Sequence, residues 1–213
     1  MDGYFITMEG PDGGGKTTQL RLLGEYLRSK NLDVLLTREP GGTPLAEKIR
    51  QLLLDPASGR VYPAAEALLY AASRAQHVAE VILPALKQGR IVLCDRFVDS
   101  SIVYQGLGRG LDSRALIDLN RFAAQGLEPQ LTILLDLTPE QGLARLNKRN
   151  KEAQQEPDRL EQESLDFYHK VRLGYLSLAR ANPARFEIIR AEDEVGSIHR
   201  QIIAVLEKRF NFK

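Results

Sequence analysis

The chain has one cysteine, almost no net charge and no long apolar run, and each scarcity excludes a class of protein. A single cysteine, Cys94, rules out an intramolecular disulfide and fits a reducing compartment. It lies inside the apolar run Ile91-Val92-Leu93-Cys94, which reads as the place of a buried, inert thiol. Lysine and arginine number 29 against 28 aspartates and glutamates, a formal net charge of +1. That balance argues against general binding to nucleic acid or to a membrane surface, which needs a basic excess. No apolar stretch approaches membrane-spanning length. The N-terminus lacks the charged region and apolar stretch of a signal peptide, so the expected location is cytoplasmic. The three histidines, His77, His169 and His199, are far apart and form no metal-ligand motif.

What is present is enough for one domain. The 213 residues, 43% hydrophobic and 27% charged, can bury a substantial core, and no linker or repeat divides residues 1–213. Five short apolar runs read as buried strands: Tyr4 to Met8, Val34 to Leu36, Ile91 to Cys94, Leu131 to Leu135 and Phe186 to Ile189. Helical periodicity separates them. It appears at Leu20, Leu23 and Leu27; at Leu45, Ile49 and Leu52; and from Leu68 to Ile82, stopping near Pro84 or Gly89. It returns at Leu116, Leu119 and Ala123, from Leu165 to Leu178, and from Val195 to Val205. Strands alternating with helices predict an α/β fold, a parallel sheet covered on both faces with ligands at the carboxyl ends of its strands. One polar segment, Asn147 to Pro157, lacks an apolar face beyond Ala153 and reads as a solvated loop or as a lid, about residues 147–159, over bound phosphates.

The most specific motif is Gly10-Pro11-Asp12-Gly13-Gly14-Gly15-Lys16-Thr17, with Thr18 following, between a strand and a helix. Strand, glycine loop and helix in that order make a phosphate-binding P-loop. Backbone N–H groups wrap the phosphates, Lys16 reaches the terminal ones and the Thr17 hydroxyl holds Mg²⁺. Asp95, at the tip of the Ile91 run, is placed to act on the same metal. Arg96 is next; in an extended chain it points the other way and could grip a second phosphate. Tyr70 and Arg74, four apart on a helix, share a face. Together they suit a flat heterocycle, although a core tyrosine beside a surface arginine is the simpler explanation of the spacing. Ser100, Ser101, Tyr104 and Gln105 could cap a helix or touch a ligand.

The motifs, in their order, resemble the thymidylate kinase family. They are Glu9-Gly10-Pro11-Asp12-Gly13, Thr37-Arg38-Glu39-Pro40-Gly41-Gly42-Thr43, Ala71-Ala72-Ser73-Arg74, Asp95-Arg96-Phe97, Tyr104-Gln105-Gly106 and Asp158-Arg159-Leu160-Glu161. The resemblance implies a P-loop kinase fold with a five-stranded parallel sheet, a homodimer, and transfer of phosphate from Mg²⁺-bound ATP to dTMP. It implies that Tyr70 stacks on thymine, that Arg74 hydrogen-bonds the base, and that Arg96 clamps the monophosphate with Arg38 and Arg50 beside it. Glu39 and Pro40 belong to the same acceptor site. Asp12 falls where a carboxylate meets the 3′-hydroxyl, Tyr104 where a ring crowds the 2′ position, and Ser101 and Gln105 along the base.

One subgroup of the family carries a catalytic arginine in the P-loop; Gly13 and Gly14 stand there, which implies the subgroup that takes its cation from the lid. Arg149 and Lys151 are the candidates, ahead of Arg145 and Arg159. Another nucleotide or nucleoside kinase, or a nucleotide-switched binding ATPase, would share the P-loop. A regulatory GTPase would need Asn-Lys-x-Asp, and Asn147-Lys148-Arg149-Asn150 lacks the aspartate.

Overall fold

Alternation within the strands divides the apolar residues between two faces of one sheet. On β1 (Tyr4–Glu9), Ile6 and Met8 enter one buried cluster and Phe5 enters another. On β3 (Ile91–Asp95), Ile91 and Leu93 take the first face, and Val92 and Cys94 the second. The computed structural model describes residues 3–210. With β2 (Val34–Arg38), β4 (Leu131–Asp136) and β5 (Phe186–Arg190) these strands form a five-stranded parallel sheet in the order β2-β3-β1-β4-β5. The expected α/β architecture holds, including helices on both faces. Leu20, Leu23 and Leu27 of α1 (Lys16–Ser29) and Ile198, Ile202 and Leu206 of α9 (Val195–Arg209) cover the first. Against the second pack Val103, a segment near Val78 to Leu86, and Val171 and Tyr175 of α8 (Leu165–Ala181). Cys94 is fully buried, and burial pushes its thiol well above the usual range, as its apolar setting suggested.

The remaining helices are α2 (Pro44–Leu54), α3 (Pro63–His77), α4 (Leu83–Lys87), α5 (Val98–Ser101), α6 (Ser113–Ala123) and α7 (Pro139–Ala153). Side-chain caps set several starts: Thr43, Asp112, Thr138 and Ser164 accept from backbone N–H groups in the first turns of α2, α6, α7 and α8.

Three local expectations change. The inward face of α2 is Ala46, Ile49 and Leu53, whereas Leu45 and Leu52 are exposed. Leu68 on α3 is likewise exposed, and the helix turns Ala67, Ala71 and Arg74 inward. Of the two stops read for this stretch, Pro84 and Gly89, the second holds: a wide turn over Val78–Ile82, closed by Leu83 N–H on the Val78 carbonyl, leads into α4, where Pro84 sits in the first turn and needs no N–H, and α4 ends at Lys87 just before Gly89. Finally, the polar segment after Asn147 is half helical. Helix α7 runs to Ala153 and ends at Gln154 in the left-handed conformation, φ 52°. Its buried face is Gly142, Leu146 and Asn150, so an asparagine takes the place where periodicity looks for a hydrophobe.

Candidate active site

The loop between β1 and α1 turns on glycines. Gly10 (φ 137°) and Gly13 (φ 76°) adopt conformations that strain any side chain, and a Cβ on either would run into the carbonyl of Leu135 or of Gly142. Helix α1 begins at Lys16, immediately after Gly15. The orphan N–H groups of its first turn therefore end at the loop, the arrangement that attracts phosphate. The Lys16 ammonium is nearly buried and donates to the carbonyls of Gly10 (3.0 Å) and Pro11 (2.8 Å). Burial, with the neighbouring Arg96 charge, pulls it down to about 8.

One residue on, the Thr17 hydroxyl donates to Asp95 Oδ2 at 2.7 Å. A hydroxyl and a carboxylate at the end of β3 are hard oxygen donors that suit Mg²⁺. Among the described residues no group of three or more histidine, cysteine, aspartate or glutamate side chains is placed to hold a metal ion.

Arg96 reaches the site by a route that differs from the expected one. Its backbone is left-handed, φ 68°, not extended, so strand alternation does not set its direction. Two anchors fix the turn: Arg96 N–H donates to the Met8 carbonyl (3.0 Å) and Phe97 N–H to Glu9 Oε1 (2.7 Å). The guanidinium then spans the P-loop and the second face. Its NH2 donates to Asp12 Oδ1 (2.6 Å) and Tyr104 OH (3.2 Å), and its NH1 to Ser100 Oγ (3.1 Å) and Tyr175 OH (3.0 Å). Tyr104 OH donates to the other Asp12 oxygen at 3.0 Å. Burial raises Asp12, but Arg96 and Lys16 outweigh it and hold the carboxyl at about 2.

Arg74 is a buried residue, not a surface one, at 1% exposure. Its Nε donates to Glu39 Oε2 (2.8 Å), NH1 to Ser101 Oγ (3.3 Å) and Asn120 Oδ1, and NH2 to the Phe97 carbonyl (3.2 Å). Glu39 precedes Pro40 in a cis peptide and also meets His77 Nδ1 at 3.1 Å. Arg50 NH1 donates to the Pro40 carbonyl at 3.1 Å, and Arg38 pairs with Glu47 at 3.0 Å. Gln105 donates to the fully buried Glu66 (2.9 Å), which also holds Arg159 at 2.7 Å.

These groups surround one cavity of about 700 Å³. Of the residues read from sequence, Asp12, Gly13, Gly15, Lys16, Thr17, Thr18, Arg38, Glu39, Pro40, Arg50, Tyr70, Arg74, Asp95, Arg96, Ser101, Tyr104, Gln105 and Arg149 line it. Gly10, Pro11 and Gly14 shape the loop without lining the cavity, and Lys151 stays exposed outside it. Arg145, set behind Arg149 on sequence grounds, does line it, as do Asp158 and Glu161. Arg149 is held by Glu161 (2.5 Å) and by its neighbour Asn150 (3.0 Å). Asn120 and Tyr175 carried no sequence signal, because each sits on a helix whose periodicity reads as core.

The cavity thus offers an anion site at the P-loop, a second cationic group facing it at Arg96, and a pocket with an aromatic ring and a fixed guanidinium for a planar group.

The chain matches a family model described as thymidylate kinase over residues 8–202. A thymidylate kinase of Pelotomaculum thermopropionicum is 50% identical over 208 residues, 98% of this chain and 94% of that protein. Another, of Syntrophotalea carbinolica, is 52% identical over 200 residues, 93% of each chain. The crystal structure of thymidylate kinase from Ehrlichia chaffeensis superposes with a TM-score of 0.76 at 36% identity, covering 96% of this chain and 98% of that one. The glycine loop, the Arg96 turn and the buried Arg74 therefore belong to a member of the thymidylate kinase family.

Proposed function

We propose that the chain transfers the γ-phosphoryl group of ATP to dTMP, giving dTDP and ADP. The observation that carries the reading is the convergence of Lys16 and Arg96 on Asp12, which brings a donor-phosphate site and an acceptor-phosphate site together. The nucleophile is a phosphate oxygen of dTMP. Its second pKa, near 6 by analogy with phosphorylated side chains, leaves it mostly dianionic at neutral pH, so no general base is required. That oxygen forms its bond to the γ-phosphorus as the bond to the β–γ bridging oxygen breaks, and ADP leaves with the electron pair. The protein's part is alignment and charge stabilisation. Lys16 meets the terminal phosphates of ATP, Arg96 fixes the acceptor phosphate, and Asp12 receives the 3′-hydroxyl of the sugar. Tyr70 stacks on thymine, Arg74 hydrogen-bonds it, and Arg38, Glu39, Pro40, Arg50, Ser101, Tyr104 and Gln105 complete the acceptor side. Thr17 and Asp95 would supply oxygen ligands to Mg²⁺, which would offset the charge of the ATP phosphates.

Residues 147–159 act as the lid in this reading, with Arg149 or Lys151 bringing positive charge to the transferring group. The protein works in the cytoplasm, where the single buried thiol is in keeping with a reducing medium. None of the described helices is long and apolar enough to cross a membrane. It acts as a homodimer. Helix α3 packs against both α2 and α6, and the three leave Leu45, Leu52, Leu68, Ile117 and Phe122 exposed, the last at 83%, an apolar surface that suits a second copy.

A panel of acceptors in an ADP-coupled assay tests the reaction. dTMP is expected to support turnover at least about a hundredfold better than dCMP or dGMP, because a site that hydrogen-bonds one base leaves buried groups unpaired with another. Efficient phosphorylation of thymidine would identify a nucleoside kinase instead.

A further inference from the structure

Glu9 ends the central strand β1 with its side chain wholly buried, and no step of phosphoryl transfer calls on it. Its carboxylate nonetheless accepts three hydrogen bonds. Phe97 N–H reaches Oε1 at 2.7 Å; Ser100 Oγ and Tyr175 OH reach Oε2 at 2.6 and 2.9 Å. The two hydroxyl oxygens lie 2.8 Å apart, and each accepts from Arg96 NH1, at 3.1 and 3.0 Å. A carboxylate, two hydroxyls and the guanidinium thus form one closed set drawn from β1, α5, α8 and the turn after β3.

We propose that Glu9 is a positioning residue for the acceptor phosphate, acting on Arg96 through Ser100 and Tyr175. The proposal rests on the dTMP kinase reading of the cavity. Its logic is the direction of protons. Each hydroxyl has one proton and spare lone pairs, and an ionised carboxylate only accepts. The hydroxyl protons therefore run toward Glu9, directly or one through the other, and both oxygens keep lone pairs for Arg96 NH1. Phe97 N–H on the second oxygen pins the backbone directly after the left-handed Arg96. Held on one side by this set and on the other by Asp12 and Tyr104, the guanidinium has a single position. A clamp fixed before binding loses little freedom when phosphate arrives.

The carboxylate form is the one required. Burial, and then Asp99, raise Glu9 to about 7, against the lowering effect of Arg96. Lys16, Cys94, Tyr175 and Arg185 are the other titratable or charged groups that feel it. Binding is therefore best compared at about pH 8.5, where Glu9 and the dTMP phosphate are both ionised.

Glu9→Gln tests the proposal. The amide keeps the shape but brings N–H donors, which turn a hydroxyl proton toward Arg96. Calorimetry at that pH, with dTMP and with thymidine, separates a phosphate effect from a structural one. The expected result is dTMP affinity about tenfold weaker, the loss of roughly one charge-assisted hydrogen bond, with thymidine affinity within about twofold of wild type. Tyr175→Phe should move dTMP in the same direction by less, and it carries the same test if Glu9→Gln does not fold. Equal losses for both ligands, or unchanged dTMP affinity, would overturn the proposal. A wild-type protein that binds neither ligand would instead overturn the acceptor assignment, and the proposal with it.

Discussion

Lys16 shows how the site manages charge at the scale of one residue. Folding buries the ammonium among carbonyls, near Arg96, and depresses it from 10.5 to about 8. In the unfolded chain it is charged up to about pH 10. The fold therefore bears the cost of a buried ammonium below about pH 8, and that cost fades as pH rises toward the unfolded value. A triphosphate on the loop adds negative charge beside it and favours the ammonium. Nucleotide binding at about pH 8 should accordingly take up a fraction of a proton, read by calorimetry in buffers of different ionisation enthalpy. A Lys16→Arg variant, whose guanidinium stays charged, should show no such uptake. Equal uptake by both proteins would place the proton elsewhere.

Residue identities at the site were largely legible in the sequence, but their partners were not. Arg74 could be placed on the face of Tyr70, yet its burial depends on Glu39, Ser101 and Asn120, which lie 35, 27 and 46 positions away. The sequence reading that Arg96 could grip a second phosphate assumes an extended backbone. The left-handed turn that delivers it is held by Met8 and Glu9, and no local pattern announces that.

At the scale of elements, the segment most open to test is the end of α7 and the loop beyond it. Helical order to Ala153 puts Arg145 and Arg149 one turn apart along the cavity wall, while Lys151 faces away. Glu161 and Asn150 hold Arg149, and Arg159 is taken up by Glu66 and by the Leu53 carbonyl at 2.7 Å. Arg149→Ala combined with Lys151→Ala should lower kcat about a hundredfold, the scale of one lost electrostatic contact to the transferring group, while ATP binding changes less than about threefold. Full kcat in that variant would move the assignment to Arg145. The strands and the longer helices were legible because period two and period 3.6 are local signals. The half-helical segment after Asn147 was not, since Asn150 buries an amide by pairing it with Glu161 at 2.8 Å. Nor was the inward face of α2, where small Ala46 packs inside and two leucines stay outside.

Across the whole molecule, strand direction followed from the alternation of strands and helices, but strand order did not. The order β2-β3-β1-β4-β5 rests on pairings between residues far apart in the chain, such as Ile6 with Leu93 and with Leu131. That order has a chemical consequence. It sets β1 between β3 and β4, so the P-loop, Asp95 and the Arg96 turn emerge side by side at the carboxyl ends. In the proposed reading a donor and an acceptor phosphate meet over Asp12, and residues 147–159 are the segment proposed to close over them. The most direct measurement follows the phosphoryl group itself, with γ-labelled ATP and dTMP mixed and the products separated. The label should appear in dTDP at the rate at which ADP forms, with little in inorganic phosphate. Label released mainly as inorganic phosphate, at a rate indifferent to dTMP, would contradict the account.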